Sequence, residues 1–240
     1  MTTDSEVLLL DGELTVEGRL VDASNATLFA RVARGADQIA CIYKPVRGER
    51  PLWDFPDGTL AQREYASFLV DRALGWELIP RTTLRDGPFG PGMVQEWVDV
   101  DETVDPVALV RSQHPDLRRI AVLDAVINNA DRKGGHLLPL PTGAVRAIDH
   151  GVTFHVDDKL RTLLWQWEGQ PLPRECLEAL DSLDQQLGSR RSPGPLAEQL
   201  VALLTGTEVQ ATRRRARRLL ETGIHPSPSP DWPAVPWPPF

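Results

Sequence analysis

The spacing of apolar residues changes once along this chain, near residue 98, and that change limits its folds more than any other feature. Up to residue 98 most apolar runs alternate with polar positions. "ELTVEGRLV", "ATLFARVA" and "QIACIYKP" do so between residues 13 and 45, separated by the turn-prone "DASN" and "RGAD". They predict three antiparallel strands. "PVRGERPLWDFPD", residues 45–57, carries three prolines and is expected as a loop. One helix is predicted over residues 59–74, with Thr59 as its cap and Leu60, Tyr65, Phe68, Leu69 and Leu74 at helical spacing. "ELIPRTTLRD" and "PGMVQEWVDV" add two strands around the turn "DGPFGPG".

Beyond residue 98 the period is helical. "DPVALVRSQ" predicts a short helix, and "PDLRRIAVLDAVINNA" a strong one opening at Pro115. "HLLPL" and "AVRAIDH" predict a small hairpin over "PTG". Further helices are expected at about 172–187, 195–204 and 206–221. The segment "HPSPSPDWPAVPWPPF" is too rich in proline for regular structure and reads as extended or polyproline chain. The expected class is α+β, in two lobes: an antiparallel sheet with one helix over residues 1–98, a mainly helical lobe over 99–222, and a Pro-rich tail over 223–240. Clefts between lobes are preferred ligand sites.

The bulk numbers narrow the partners. A formal net charge of -8 argues against nucleic acid and against strong attraction to anionic lipid. Cys41 and Cys176 have no paired spacing, so neither a disulfide framework nor a zinc site is expected, and a cytoplasmic setting fits. No run is long enough for a membrane span. The basic "RRRARR", 213–218, reads as the solvated face of a last helix, since Glu208 and Glu221 flank it.

Chemistry concentrates in "NNADRKGGHLL", residues 128–138, and "AIDHG", residues 147–151. Asp131 follows a helix, His136 lies five residues on, and Asp149 eighteen residues beyond Asp131. A carboxylate, a metal-binding side chain five residues later, and a second aspartate in Asp-x-Gly form the phosphoryl-transfer pattern of kinase loops. Such transfer asks little covalent chemistry of the protein and much positioned charge. Lys44, ending a predicted strand, supplies a cation for phosphates. Glu64, on the next helix, supplies the carboxylate that would hold it. Ser24, Asn25 and Thr27 lie between the first two strands, where a phosphate-covering loop belongs, and offer hydroxyl, amide and backbone N–H groups in place of glycines.

The order "VEGRL", "YKP", "REYASFL", "VQEWV", "DRKGGH", "IDHG" resembles the phosphatidylinositol 3-/4-kinase-like family over roughly residues 13–155, and its small actinobacterial members in particular. Those kinases carry Asp-Arg-x-x-x-Asn and Ile-Asp-x-Gly and lack the usual glycine-rich loop. The resemblance implies a protein-kinase-like fold, ATP with Mg²⁺ or Mn²⁺, and transfer of the γ-phosphate to a hydroxyl acceptor of unknown identity. It makes Asp131 the catalytic aspartate, with Arg132 or Lys133 stabilising charge on the transferred group. It puts His136 and Asp149 at the metal positions and Lys44 at the phosphates. Gln95, Glu96, Trp97 and Val98 become the hinge that meets adenine through backbone groups.

Two departures shape the expectations. His136 replaces asparagine, and imidazole prefers softer metals than Mg²⁺. The segment after "DHG" offers only Lys159 and Arg161, beside Asp157 and Asp158, where a lipid kinase reads an inositol headgroup with basic residues. A nucleotide-binding pseudokinase is therefore the alternative, and a scaffold acting through a partner of the Pro-rich tail is a third reading. "GERPLWDFPDGTLAQRE", 48–64, reads either as a lid over the cleft, anchored by Trp53 and Phe55, or as a surface loop pinned by them.

Overall fold

The computed structural model describes residues 5–20 and 26–240. A short helix, α1 (Ser5–Asp11), precedes five strands: β1 (Glu13–Arg19), β2 (Leu28–Arg34), β3 (Asp37–Pro45), β4 (Thr82–Gly87) and β5 (Gly90–Glu96). They form one antiparallel sheet in the order β1-β2-β3-β5-β4. The three alternating runs pair as the expected meander, and Gly35, at φ 63°, makes the β2–β3 turn. Helix α1 was not expected. Its Leu9 joins Val32, Tyr43 and Val94 in the apolar core of the sheet lobe.

Helix α2 (Leu60–Leu74) follows β3. Thr59 precedes it as expected, but its side chain makes no cap bond. Glu49 does the capping from the preceding loop: its carboxylate accepts the N–H groups of Leu60 and Ala61 at 3.1 and 2.8 Å. A carboxylate there satisfies orphan donors and complements the helix dipole. Gly75, at φ 71°, closes the helix.

The helical lobe contains α3 (Pro106–Arg111), α4 (Pro115–Ile127), the hairpin β6 (Leu137–Pro139) with β7 (Val145–Ala147), then α5 (Arg174–Leu187), α6 (Pro195–Leu200) and α7 (Gly206–Thr222). Helix α4 stops where Asn128 turns left-handed at φ 55°. A second, larger apolar core gathers α4, α5, α6 and α7. It also takes Ala66, Phe68, Val70 and Leu74 of α2. Helix α2, expected in the sheet lobe, packs on β4 and β5 and also joins the helical core.

Arg63 fixes that helix further. Its buried guanidinium donates to Glu208 on α7 at 2.7 Å and to the Thr153 carbonyl at 2.6 Å. In the basic run 213–218, Arg214, Arg217 and Arg218 are exposed, as expected of a solvated face, while Arg213 and Arg217 pair with Asp184 and Arg215 donates to the Val126 and His155 carbonyls. Among the described residues no helix is long and apolar enough to cross a membrane.

Candidate active site

Both lobes send charge to one point. Strand β3 delivers Lys44 from the sheet, α2 delivers Glu64, and the turn after β7 delivers Asp149. The Lys44 ammonium donates to Glu64 Oε1 at 2.7 Å and to Asp149 Oδ1 at 2.8 Å. Asp149 sits at φ 63°, a left-handed conformation open to aspartate and closed to most side chains. Next to it, His150 N–H donates to Glu64 Oε2 at 2.7 Å. Burial opposes charge on Lys44, but Asp149 and Glu64 outweigh it and hold the ammonium above its ordinary pKa. The Lys44 ammonium in turn keeps the Asp149 carboxyl well below the carboxylate range. Burial pushes Glu64 upward against the pull of Lys44.

His136 completes this group. Its Nδ1 accepts the Lys133 N–H at 3.4 Å, and its Nε2 lies 3.2 Å from Asp149 Oδ2. Burial lowers its pKa to about 4 despite Asp149, and the ring is neutral at pH 7.

Asp131 and Lys133 stand at the outer edge, their side chains 3.3 Å apart and both partly exposed. Asp131 N–H donates to Asn129 Oδ1 at 3.0 Å, which aims the loop as it leaves α4. Burial raises the Asp131 pKa against the pull of Lys133.

Arg132 is a correction. It was expected at the transferred group, yet it is fully buried. Its guanidinium grips Asp124 of α4 through two 2.9 Å bonds and donates to the Ile148 carbonyl at 2.8 Å. A fourth bond runs from Nη2 to His150 Nε2 at 2.6 Å. Alternate residues of an extended loop point to opposite sides, so Asp131 and Lys133 face out and Arg132 faces in. Burial and the neighbouring Arg132 keep His150 neutral.

Sheet pairing takes up part of the backbone at the expected hinge. The Gln95 side chain is buried and donates to Thr82 Oγ1 at 2.9 Å. The N–H groups of Glu96 and Trp97 donate to the Arg81 and Ala40 carbonyls at 2.8 and 3.1 Å. Those two donors are used within the sheet lobe. Trp97 is partly exposed and meets Phe29 edge to face at 5.2 Å. Ser24 and Asn25 lie outside the described residues. Thr27 is buried, and its carbonyl accepts the Leu20 N–H at 2.9 Å.

Comparison with known proteins follows this geometry. No family model matches the sequence. Protein Rv2133c of Mycobacterium tuberculosis is 43% identical over 272 residues, which cover 99% of this chain and 96% of the relative. This chain belongs to the family of that mycobacterial protein. Among solved structures, the Helicobacter pylori proinflammatory kinase CtkA superposes with a TM-score of 0.51 at 12% identity, over 90% of this chain and 94% of the other. The protein therefore has a kinase-like α+β fold, as its residue pattern led us to expect.

Sequence reading missed Asp124, His150 and Asn129. Asp124 lies on the apolar face of α4 and looks like a polar interruption there. Its partner, eight residues on, is reached only because the chain turns back at Asn128. His150 reads as an ordinary loop residue, yet it joins Arg132 to the Glu64 side of the site. The sole available signal was the polar cluster "NNAD" directly after an apolar helix.

Proposed function

We propose that this protein is an ATP-dependent phosphotransferase of the phosphatidylinositol 3-/4-kinase-like type, acting on a hydroxyl acceptor. The observation that carries the reading is Lys44, held between Glu64 and Asp149 at 2.7 and 2.8 Å across the junction of the lobes. Lys44 binds the ATP phosphates, and Glu64 keeps it charged and aimed. Asp131 lies beside the acceptor. The acceptor oxygen attacks the γ-phosphorus, the bond from that phosphorus to the bridging oxygen breaks, and ADP leaves with the electron pair. The acceptor proton passes to the Asp131 carboxylate, whose raised pKa suits a base. Lys133, paired to Asp131, offers positive charge to the transferred group.

The donor set bears on the metal. Mg²⁺ is commonly held by one or two carboxylates together with substrate phosphates. Asp149 fits that role: its carboxylate is partly exposed and shares the single Lys44 ammonium with Glu64. His136 fits less well as a ligand, because imidazole prefers softer metals than Mg²⁺, and beside Asp149 it suits orienting that carboxylate instead. Among the described residues no three His, Cys, Asp or Glu side chains gather as a metal set. A bound Mg²⁺ or Mn²⁺ supplies charge neutralisation on the phosphates. The same scarcity of ligands favours a second reading, a nucleotide-binding module without turnover. Cys41 and Cys176 are buried free thiols, in keeping with a reducing, cytoplasmic setting.

The test is thermal stability with ATP and Mg²⁺ or Mn²⁺, joined to release of ADP. Ligand at a hundred times its dissociation constant stabilises by about 2.7 kcal/mol. Wild type should gain stability and form ADP. Asp149→Asn should lose the metal-dependent gain. Asp131→Asn should keep the gain and lose turnover. Stabilisation without ADP in wild type would favour the non-catalytic reading, and no stabilisation would defeat both.

A further inference from the structure

The Pro-rich segment does not trail free. From residue 231 it crosses the loops that surround Asp131 and touches three of them. The Ala234 carbonyl accepts the Thr162 N–H at 3.0 Å and the Trp165 indole N–H at 2.9 Å. The Pro239 carbonyl accepts the Gly134 N–H at 2.8 Å. The Phe240 ring lies on Gly134, and a Cβ at that glycine would overlap the ring. Gly134 follows Lys133, whose ammonium pairs with Asp131. The segment thus reaches the catalytic loop one residue from Lys133 and three from Asp131.

A clasp holds its near end. Trp232 stacks on Trp53 of the 48–64 loop with ring centroids 6.4 Å apart. The Lys159 ammonium lies 4.4 Å from the Trp232 ring and 4.9 Å from the Trp53 ring. It also pairs with Asp54 at 2.7 Å, and its side chain is 4% exposed. Cation–π attraction strengthens when the cation is desolvated. Lys159, one of the two cations in the segment after "DHG", is therefore committed to the clasp. The other, Arg161, donates to the Ala130 carbonyl at 2.6 Å. Both cations of the segment after "DHG" thus hold protein groups.

We propose that residues 231–240 form the outer wall of the acceptor pocket, with Phe240 setting the size of acceptor that reaches Asp131. The wall admits a small hydroxyl compound and shuts out a polypeptide, which needs an extended path along the catalytic loop. This rests on the phosphotransferase reading. The contacts are specific for size rather than chemistry: the segment offers proline and aromatic surface over Gly134, with no charged side chain there to recruit an acceptor.

The test compares wild type with Trp232→Ala, Phe240→Ala, the double variant, and Phe240→Leu as the conservative control. ATP affinity is measured by titration with Mg²⁺ or Mn²⁺, and transfer is measured to casein and to glycerol. Phe240 is half exposed, so its truncation leaves the lobe cores intact. The double variant should keep its ATP dissociation constant within twofold and raise kcat/KM toward casein at least tenfold, mainly through KM. Glycerol transfer should change far less, and Phe240→Leu should fall between. Unchanged casein transfer with intact ATP binding overturns the wall and leaves the phosphotransferase reading standing. ATP binding without transfer to either acceptor in any variant also overturns the wall, because its release then opens nothing, and ADP formation decides the phosphotransferase reading separately. Absence of ATP binding in wild type overturns the reading and the wall together.

Discussion

Lys44 and Asp149 meet at 2.8 Å although 105 positions separate them. One belongs to the central sheet, the other to the turn leaving a short hairpin in the helical lobe. Glu64 shares the same ammonium from α2. Two carboxylates and one ammonium leave this junction with a net negative charge, which a cation bound with nucleotide would relieve.

Replacing Lys44 by methionine should cost stability before any ligand is added. It leaves Glu64 buried without its partner, and breaking a buried pair costs roughly 3–5 kcal/mol. For a chain of this size each kcal/mol shifts the melting temperature by about 2–4 °C. Calorimetry should show a fall on the order of 10 °C and loss of the nucleotide-dependent gain. A melting temperature within about a degree of wild type would mean that the pair adds little to the fold.

Arg132 and Lys133 are neighbours with opposite tasks. Arg132→Leu strands Asp124, which is fully buried, and should destabilise by roughly 3–5 kcal/mol in urea melts. Lys133→Ala removes a partly exposed pair and should change stability by about 0–1 kcal/mol. Its loss should instead appear in the transfer rate. If both variants behave alike in the two assays, the inward and outward division of the loop is incorrect.

The pH dependence of His136 has a definite sign. Burial lowers its folded pKa to about 4, against about 6.5 in the unfolded chain. Between those values the unfolded state binds more protons, so stability rises with pH across that window and is fully present above it. His136→Asn lacks this titration. The stability difference, wild type minus variant, should grow from about pH 4 to pH 6.5 and level off above. A difference that is flat across that range would show that the ring titrates normally.

Arg63 links α2 to α7 through Glu208 at 2.7 Å. Glu208→Gln keeps a hydrogen-bond acceptor and removes the charge, so α2 should loosen without unfolding. ATP affinity should weaken several-fold, since Glu64 rides on the same helix one residue from Arg63. Hydrogen exchange should rise in α2 more than in α4. Equal exchange in both helices would separate the Arg63 pair from the positioning of Glu64.

Much of this was legible in the chain. Alternation over residues 13–45 determined the meander, and the apolar period from Pro115 determined α4, because each pattern buries one face only in its own secondary structure. The polar set Lys44, Glu64, Asp131, His136 and Asp149 could be picked out, since phosphoryl transfer needs charge at those places along a two-lobed chain. Tertiary structure decided the rest. Glu49 took over the capping that Thr59 was expected to do, because a loop rich in proline folds back onto the helix start. Arg132 turned inward to Asp124, a choice set by the side of the loop that faces α4. The Pro-rich segment has no period to read, and its place over Gly134 depends on Trp53, Lys159 and Trp165, which lie far from it in sequence. Local patterns state which face a residue prefers to bury. Only the assembled lobes determine which partner waits on that face.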